Sequence, residues 1–243
     1  MEDQMAVSSA QHNNNSIESS YVVNIYPLNC YYFGSKEAVL PKTETTYYDQ
    51  IQKWKANYSI NGMRTCVAAV MLVELFNQPH LLVLQVRNSF FKLPGGRLRP
   101  GESDIEGLKR KLSSKLSSNE NGIDNDWEVG ECLGMWWRPD FETSLCPYLS
   151  PHVQSPKECL KLFLVKLPMT RRFIVPQNLK LLAVPVFQVH DNVKTYGSII
   201  SEVPGLLSRF SFNMIQVFRT MIELWVVAIL QKGGKMKQMF DPT

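Results

Sequence analysis

The chain has 243 residues, 44% of them hydrophobic, and a formal net charge of +4 at pH 7. That length and apolar content exclude a wholly disordered chain, and so mild a charge excludes a protein that coats nucleic acid by electrostatics alone. Five scattered cysteines, Cys30, Cys66, Cys132, Cys146 and Cys159, form no Cys-x-x-Cys pair, which argues against a zinc ribbon or a disulfide framework and points to a reducing compartment. The first twenty residues lack a signal-peptide layout, and no run approaches the roughly 20 apolar residues that cross a bilayer. An intracellular, soluble protein without a membrane partner is expected.

Residues 1–20, polar and carrying Asn13-Asn14-Asn15, bury too little to offset ordering entropy and are predicted to be a disordered tail. From Tyr21 the chain is dense in aromatic and β-branched residues, broken at Pro27 and Gly34, and predicts short extended pieces. Ile51, Trp54 and Tyr58 then fall at helical spacing, with Gly62 as the C-terminal cap; residues 21–60 read as an ordered extension. A central domain over residues 61–213 follows. Its strand candidates are "TCVAAVMLVEL" and "HLLVLQVR", joined by Asn77-Gln78-Pro79, then "WEVGECLGMWW", "CLKLFLVKLP" and "LKLLAVPVFQV". A Pro-rich loop from Pro139 to Pro156 separates two of them.

Between the strands a helix is predicted from about Ser103. Ser103 and Glu106 have capping-box spacing, and Ile105, Leu108, Leu112 and Leu116 make one apolar stripe. A last helix is predicted from about Ser201 through "GLLSRFSFNMIQVF". Few helices and about six strands suggest a mixed α/β sandwich. Residues 214–243 form an atypical tail. Its apolar run Leu224 to Leu230 is too short to span a membrane and reads as a helix packing on the domain or a partner, with an interfacial anchor before Lys232, Lys235 and Lys237, or an unstructured terminus, as the alternatives.

"FKLPGGRLRPGESDIEGLKRKL" carries the chemistry. A glycine pair and a Pro-Gly-Glu turn lead into an amphipathic helix, the layout of a metal-dependent diphosphate hydrolase. This resembles the Nudix box, in which Gly, five residues, Glu and seven residues precede Arg-Glu-apolar-x-Glu-Glu-x-Gly. Gly96, Glu102, Arg110 and Leu112 fit; the three later glutamates fall on Lys111, Ser114 and Lys115, and the last glycine on Ser117. Positions 111, 114 and 115 share a helical face. Replacing three negative charges by two positive ones opposes the oxygen-ligated divalent cations that such hydrolysis needs. No catalytic or metal-binding residue and no cofactor is expected, although Glu131, Glu142 or Glu158 could in principle serve as a displaced base. His80, His152 and His190 have no ligand spacing. Trp136 and Trp137 read as packing residues. Arg97, Arg99, Lys109, Arg110, Lys111 and Lys115 read equally as a solvated face or a phosphate-facing patch.

Over residues 21 to 214, "NIYPLNCYYFGSKE", "GMRT", "FFKLPGGRLRPGE", "WWRPDFET", "HVQSPKECLKLFLVKL" and "LLSRFSFNM" resemble the Nudix-fold small subunits of the pre-mRNA cleavage factor I complex. The basic residues around the box are similar to those of plant members. The resemblance implies an α/β Nudix fold, an α/β/α sandwich with a mixed sheet. It also implies a nuclear, non-catalytic homodimer that recognises UGUA-type elements of single-stranded pre-mRNA. Such a subunit carries larger RNA-recognition-motif subunits and works with other cleavage and polyadenylation factors. By the same resemblance Phe90 stacks on a base, Ser89 supplies a hydroxyl contact, Leu93 an apolar one, and Tyr196 and Gly197 backbone contacts. An RNA-contacting arginine of the family falls on Gln50, and a base-reading glutamate on Ala68; another family acid aligns near Glu44. Losing a fork of donors and a discriminating acceptor predicts weaker or less selective RNA binding. A dimeric scaffold with weakened RNA recognition, and a residual metal-dependent hydrolase, are the alternatives.

Overall fold

The computed structural model describes residues 21–39, 46–86, 90–117 and 126–216. The expectations for residues 1–20, for Glu44 and Ser89, and for the tail beyond residue 216 lie outside them. In chain order the elements are β1 (Val22–Ile25), β2 (Tyr31–Lys36), α1 (Tyr47–Asn61), β3 (Arg64–Val70), β4 (Leu72–Leu75), β5 (Gln78–Val86), β6 (Phe90–Lys92), β7 (Gly95–Arg97) and α2 (Asp104–Leu116). They continue with β8 (Glu128–Arg138), β9 (Glu158–Lys166), β10 (Arg171–Pro176), β11 (Leu179–Pro185), α3 (Val186–Val189), α4 (Val193–Tyr196), α5 (Ser198–Leu207) and β12 (Ser211–Met214).

A mixed sheet in the order β7-β3-β9-β8 is the middle layer. Strands β3 and β9 are parallel, and β7 and β8 are antiparallel to their neighbours. Both its faces are covered, so β3 reads as a continuous apolar run whose side chains alternate between two cores. Ala68 and Val70 enter one core with Leu162, Leu164 and, from α5, Ile200, Val203 and Leu207. Val67 and Ala69 enter the other with Phe163, Val165 and, from α2, Leu108, Leu112 and Leu116. This is the expected α/β/α sandwich. A second sheet, β11-β5-β4 with β6 also on β5, adjoins it. Strand β1 pairs in parallel with β12, and β2 with β10.

Several local expectations are corrected. Leu108, Leu112 and Leu116 are fully buried, whereas Ile105 is 48% exposed: in the first turn of α2 it overhangs the packed layer, and Gly107 lies against Leu98 instead. The joint between β4 and β5 is Phe76-Asn77, both at positive φ, the geometry of a tight hairpin turn, so Gln78 and Pro79 already belong to β5. "VFQV" at the end of the fifth strand candidate is the helical turn α3, with Pro185 as its N-cap; Pro185 has no N–H to donate and so ends the ladder. Helix α5 begins at Ser198 and stops at Leu207; Pro204 removes one helical donor and Gly205 weakens the last turn, and the segment beyond pairs with β1 as a strand. Among the described residues twelve strands replace the roughly six expected. Strand β10 is a pairing the local pattern did not announce.

Candidate nucleic-acid interface

The glycine loop is shaped by close approach. Gly95 pairs with Ala68 across β7 and β3, and a Cβ there would overlap the carbonyl of Val67, so only glycine fits. The turn after it is locked to α2 by Glu102. Its carboxylate accepts the Arg99 backbone N–H at 2.9 Å and two guanidinium N–H groups of Arg110 at 2.5 Å each. Those bonds, the Arg110 pair first, hold the Glu102 carboxyl down to about 2. The box residues Glu102 and Arg110 therefore form a loop-to-helix clasp. Ser103 caps α2 by accepting from the Glu106 N–H, and its hydroxyl donates to the Glu106 carboxylate.

On the face where a hydrolase needs acids, the Lys111 chain lies along Gly96, and the Lys115 ammonium donates to the carbonyl of Gly95. A backbone carbonyl is an oxygen ligand of the kind a divalent cation takes; here a side-chain cation holds it. Burial, with Lys92 and Lys111 pushing the same way, lowers the Lys115 pKa to about 8. Among the described residues no group of three or more His, Cys, Asp and Glu is placed to hold a metal. Glu131 pairs with Arg209 at 3.2 Å, and Glu142 is exposed. Glu158 lies between Arg64 and Arg138, at 2.8 and 2.9 Å. Burial would raise its carboxyl, but the two arginines overcome that and hold it below the usual carboxylate range. The Cys66 thiol beside it, pushed up to about 12 by burial and by Glu158, is no nucleophile.

A cavity of about 420 Å³ opens between β3, β6, β7, α2, β9 and the α4–α5 corner. It brings together Phe90, Leu93, Tyr196 and Gly197 of the sequence-predicted set. Phe90 is 61% exposed and its neighbour Phe91 turns inward, as alternation along a strand dictates. Leu93 is buried in the wall. The Tyr196 ring is also buried, 5.0 Å from that of Phe91. Gly197 has φ +79 at the joint of α4 and α5, a conformation that favours glycine. Its N–H donates to Val193, and its carbonyl accepts both the Ser201 N–H and hydroxyl, so its polar groups are already engaged. Gln50 is an exposed residue in the first turn of α1 and does not line the cavity; the buried Trp54 of that helix packs on Phe141 and Arg64 instead. Ala68 does line it. Sequence reasoning missed Lys115 as a cavity residue. The available signal was its position between the buried Leu112 and Leu116.

A model of the Nudix family, described as nucleotide hydrolase, matches residues 21–210. Subunit 1 of the pre-mRNA cleavage factor Im 25 kDa pair of Arabidopsis thaliana is 61% identical over 203 residues, covering 84% of this chain and 91% of the relative. Subunit 2 from the same plant is 54% identical over 81% of this chain and 98% of its own length. The Dictyostelium discoideum cleavage and polyadenylation specificity factor subunit 5 is 41% identical over 80% and 97%. These relatives carry the names of processing-factor subunits, and none of the three is named as a hydrolase. With such a family match and such identities over most of its length, the chain belongs to the Nudix-fold family of pre-mRNA cleavage factor Im 25 kDa subunits.

Proposed function

We propose that the protein is a nuclear, non-catalytic RNA-binding subunit of the cleavage factor I complex in pre-mRNA cleavage and polyadenylation. On this reading it acts as a homodimer that binds UGUA-type elements and recruits larger RNA-recognition-motif subunits. The observation that carries the reading is Phe90, an exposed aromatic at the lip of a cavity with largely apolar walls and two lysines, Lys92 and Lys115, in its lining. Single-stranded RNA is read by stacking splayed bases on such aromatics and hydrogen-bonding their edges. Lysines in place of acids on α2 leave magnesium-dependent hydrolysis without ligands. The names of the relatives support the assignment to 3′ end processing.

Calorimetric titration of the full chain with a UGUA-containing RNA and a scrambled control tests it: the UGUA strand binds more tightly. Equal affinities would sink sequence-specific recognition in favour of the scaffold reading. One observation favours that second reading: Ala68, in the cavity wall, offers no acceptor to a base. Magnesium-dependent turnover of dinucleoside polyphosphates that Glu102→Gln abolishes would overturn the non-catalytic assignment. Sedimentation of the purified chain at twice its 27.9 kDa mass tests the homodimer.

A further inference from the structure

We propose that Lys115 is the residue with which this protein reads a nucleobase carbonyl, uracil O4 or guanine O6, in a strand whose neighbouring base stacks on Phe90. The proposal rests on the RNA-binding reading above and adds a specificity-determining contact to it.

The ammonium of Lys115 has three N–H donors, and the Gly95 carbonyl takes one. No carboxylate among the described residues pairs with it; the titratable groups around it are Lys92 on β6, Lys111 on its own helix and Cys66 on β3. The thiol stays neutral, so the surroundings present further cations and no anion. Apart from Lys92 at the β6 side, the rest of the wall is largely apolar, including Ala68, Leu93, Leu162, Ile199 and Ile200. A partly desolvated cation with two unused donors in such a wall lacks acceptors, which an entering ligand can supply. The cavity accommodates a planar ring, and apolar walls suit a base better than a hydrated phosphate. A lysine suits an edge with carbonyl oxygen, as at guanine O6/N7. Adenine sets an amino donor beside N1 and N7, which opposes an ammonium. The contact also sits across β7 from Ala68, whose methyl group offers no acceptor in the opposite wall.

The test is calorimetry of the full chain with UGUA-containing RNA and two analogues. One has 2-aminopurine for guanine, which removes the 6-oxygen; the other has 4-thiouracil for uracil, which weakens the 4-acceptor. The wild type is expected to lose at least about tenfold in affinity for one of them. Lys115→Met loses a similar factor on unmodified RNA and no more on that analogue. From about pH 7 to about pH 9 the wild type weakens as the ammonium is lost, while Lys115→Arg, which stays charged, does not. The analogue series with the wild type decides the matter even where Lys115→Met does not fold. Analogue affinities within twofold of the parent, or unchanged binding by folded Lys115→Met, overturn the proposal and leave UGUA recognition standing. Equal weakening of every sequence by Lys115→Met, with a salt slope shallower by about 0.7, assigns Lys115 to a phosphate and also overturns it. A wild type that does not prefer UGUA over scrambled RNA removes the underlying reading and this contact together.

Discussion

Phe90 and Glu102 stand close in sequence and do opposite things. Phe90 presents most of its ring to solvent, so Phe90→Ala should leave the thermal midpoint nearly unchanged and cost about 1–3 kcal/mol of RNA binding, the usual worth of one stacked base. A fall in stability with intact binding would make the ring a packing residue. Glu102 is a clasp, its carboxyl held at about 2 by Arg110 and by the Arg99 N–H. A folded-state pKa below the unfolded one means that its stabilisation is complete above the unfolded value, about 4.5, and is lost as pH falls toward about 2. Urea midpoints across that window should therefore fall more steeply in the wild type than in Glu102→Gln, and the variant should be the less stable of the two at neutral pH. Identical pH profiles would show that the clasp does not contribute to stability.

Helix α2 carries both the legible and the illegible parts of the site. Its cap at Ser103 and its leucines follow from spacing alone, because a 3.6-residue period and a hydroxyl three residues before a glutamate are local properties. Leu112 has no exposed surface; Leu112→Ala should cost about 2–5 kcal/mol in urea unfolding, whereas Ile105→Ala, at the overhanging end, should cost well under half of that. Lys115 was legible only in part. Its position on the helix was plain, but that its ammonium reaches the Gly95 carbonyl and the cavity depends on how α2 packs against β7. Likewise α1 was predicted from Ile51, Trp54 and Tyr58 and ends at Gly62 as expected, yet nothing local says that Gln50 stands away from the cavity.

Across the whole molecule, β1 and β2 are joined by parallel pairing to β12 and β10, strands more than a hundred residues away. Glu158 ties a second set of distant pieces: Arg64 at the start of β3, which lies 3.6 Å over the ring of Trp54 on α1, and Arg138 at the end of β8. Glu158→Ala would leave two guanidinium groups without their buried partner and should destabilise the protein by about 3–5 kcal/mol, read as a lower midpoint in denaturant at neutral pH. A loss under about 1 kcal/mol would mean that water replaces the carboxylate freely. By itself the sequence determined the leucine stripe of α2, about half of the strands, the lysines at positions 111 and 115 and the family resemblance, since these reside in residue order and identity. Only the tertiary structure decided which residues share the cavity, that Lys115 belongs to it and Gln50 does not, and that short terminal strands find parallel partners. Those outcomes depend on contacts between segments far apart in the chain, on which local periodicity has no bearing.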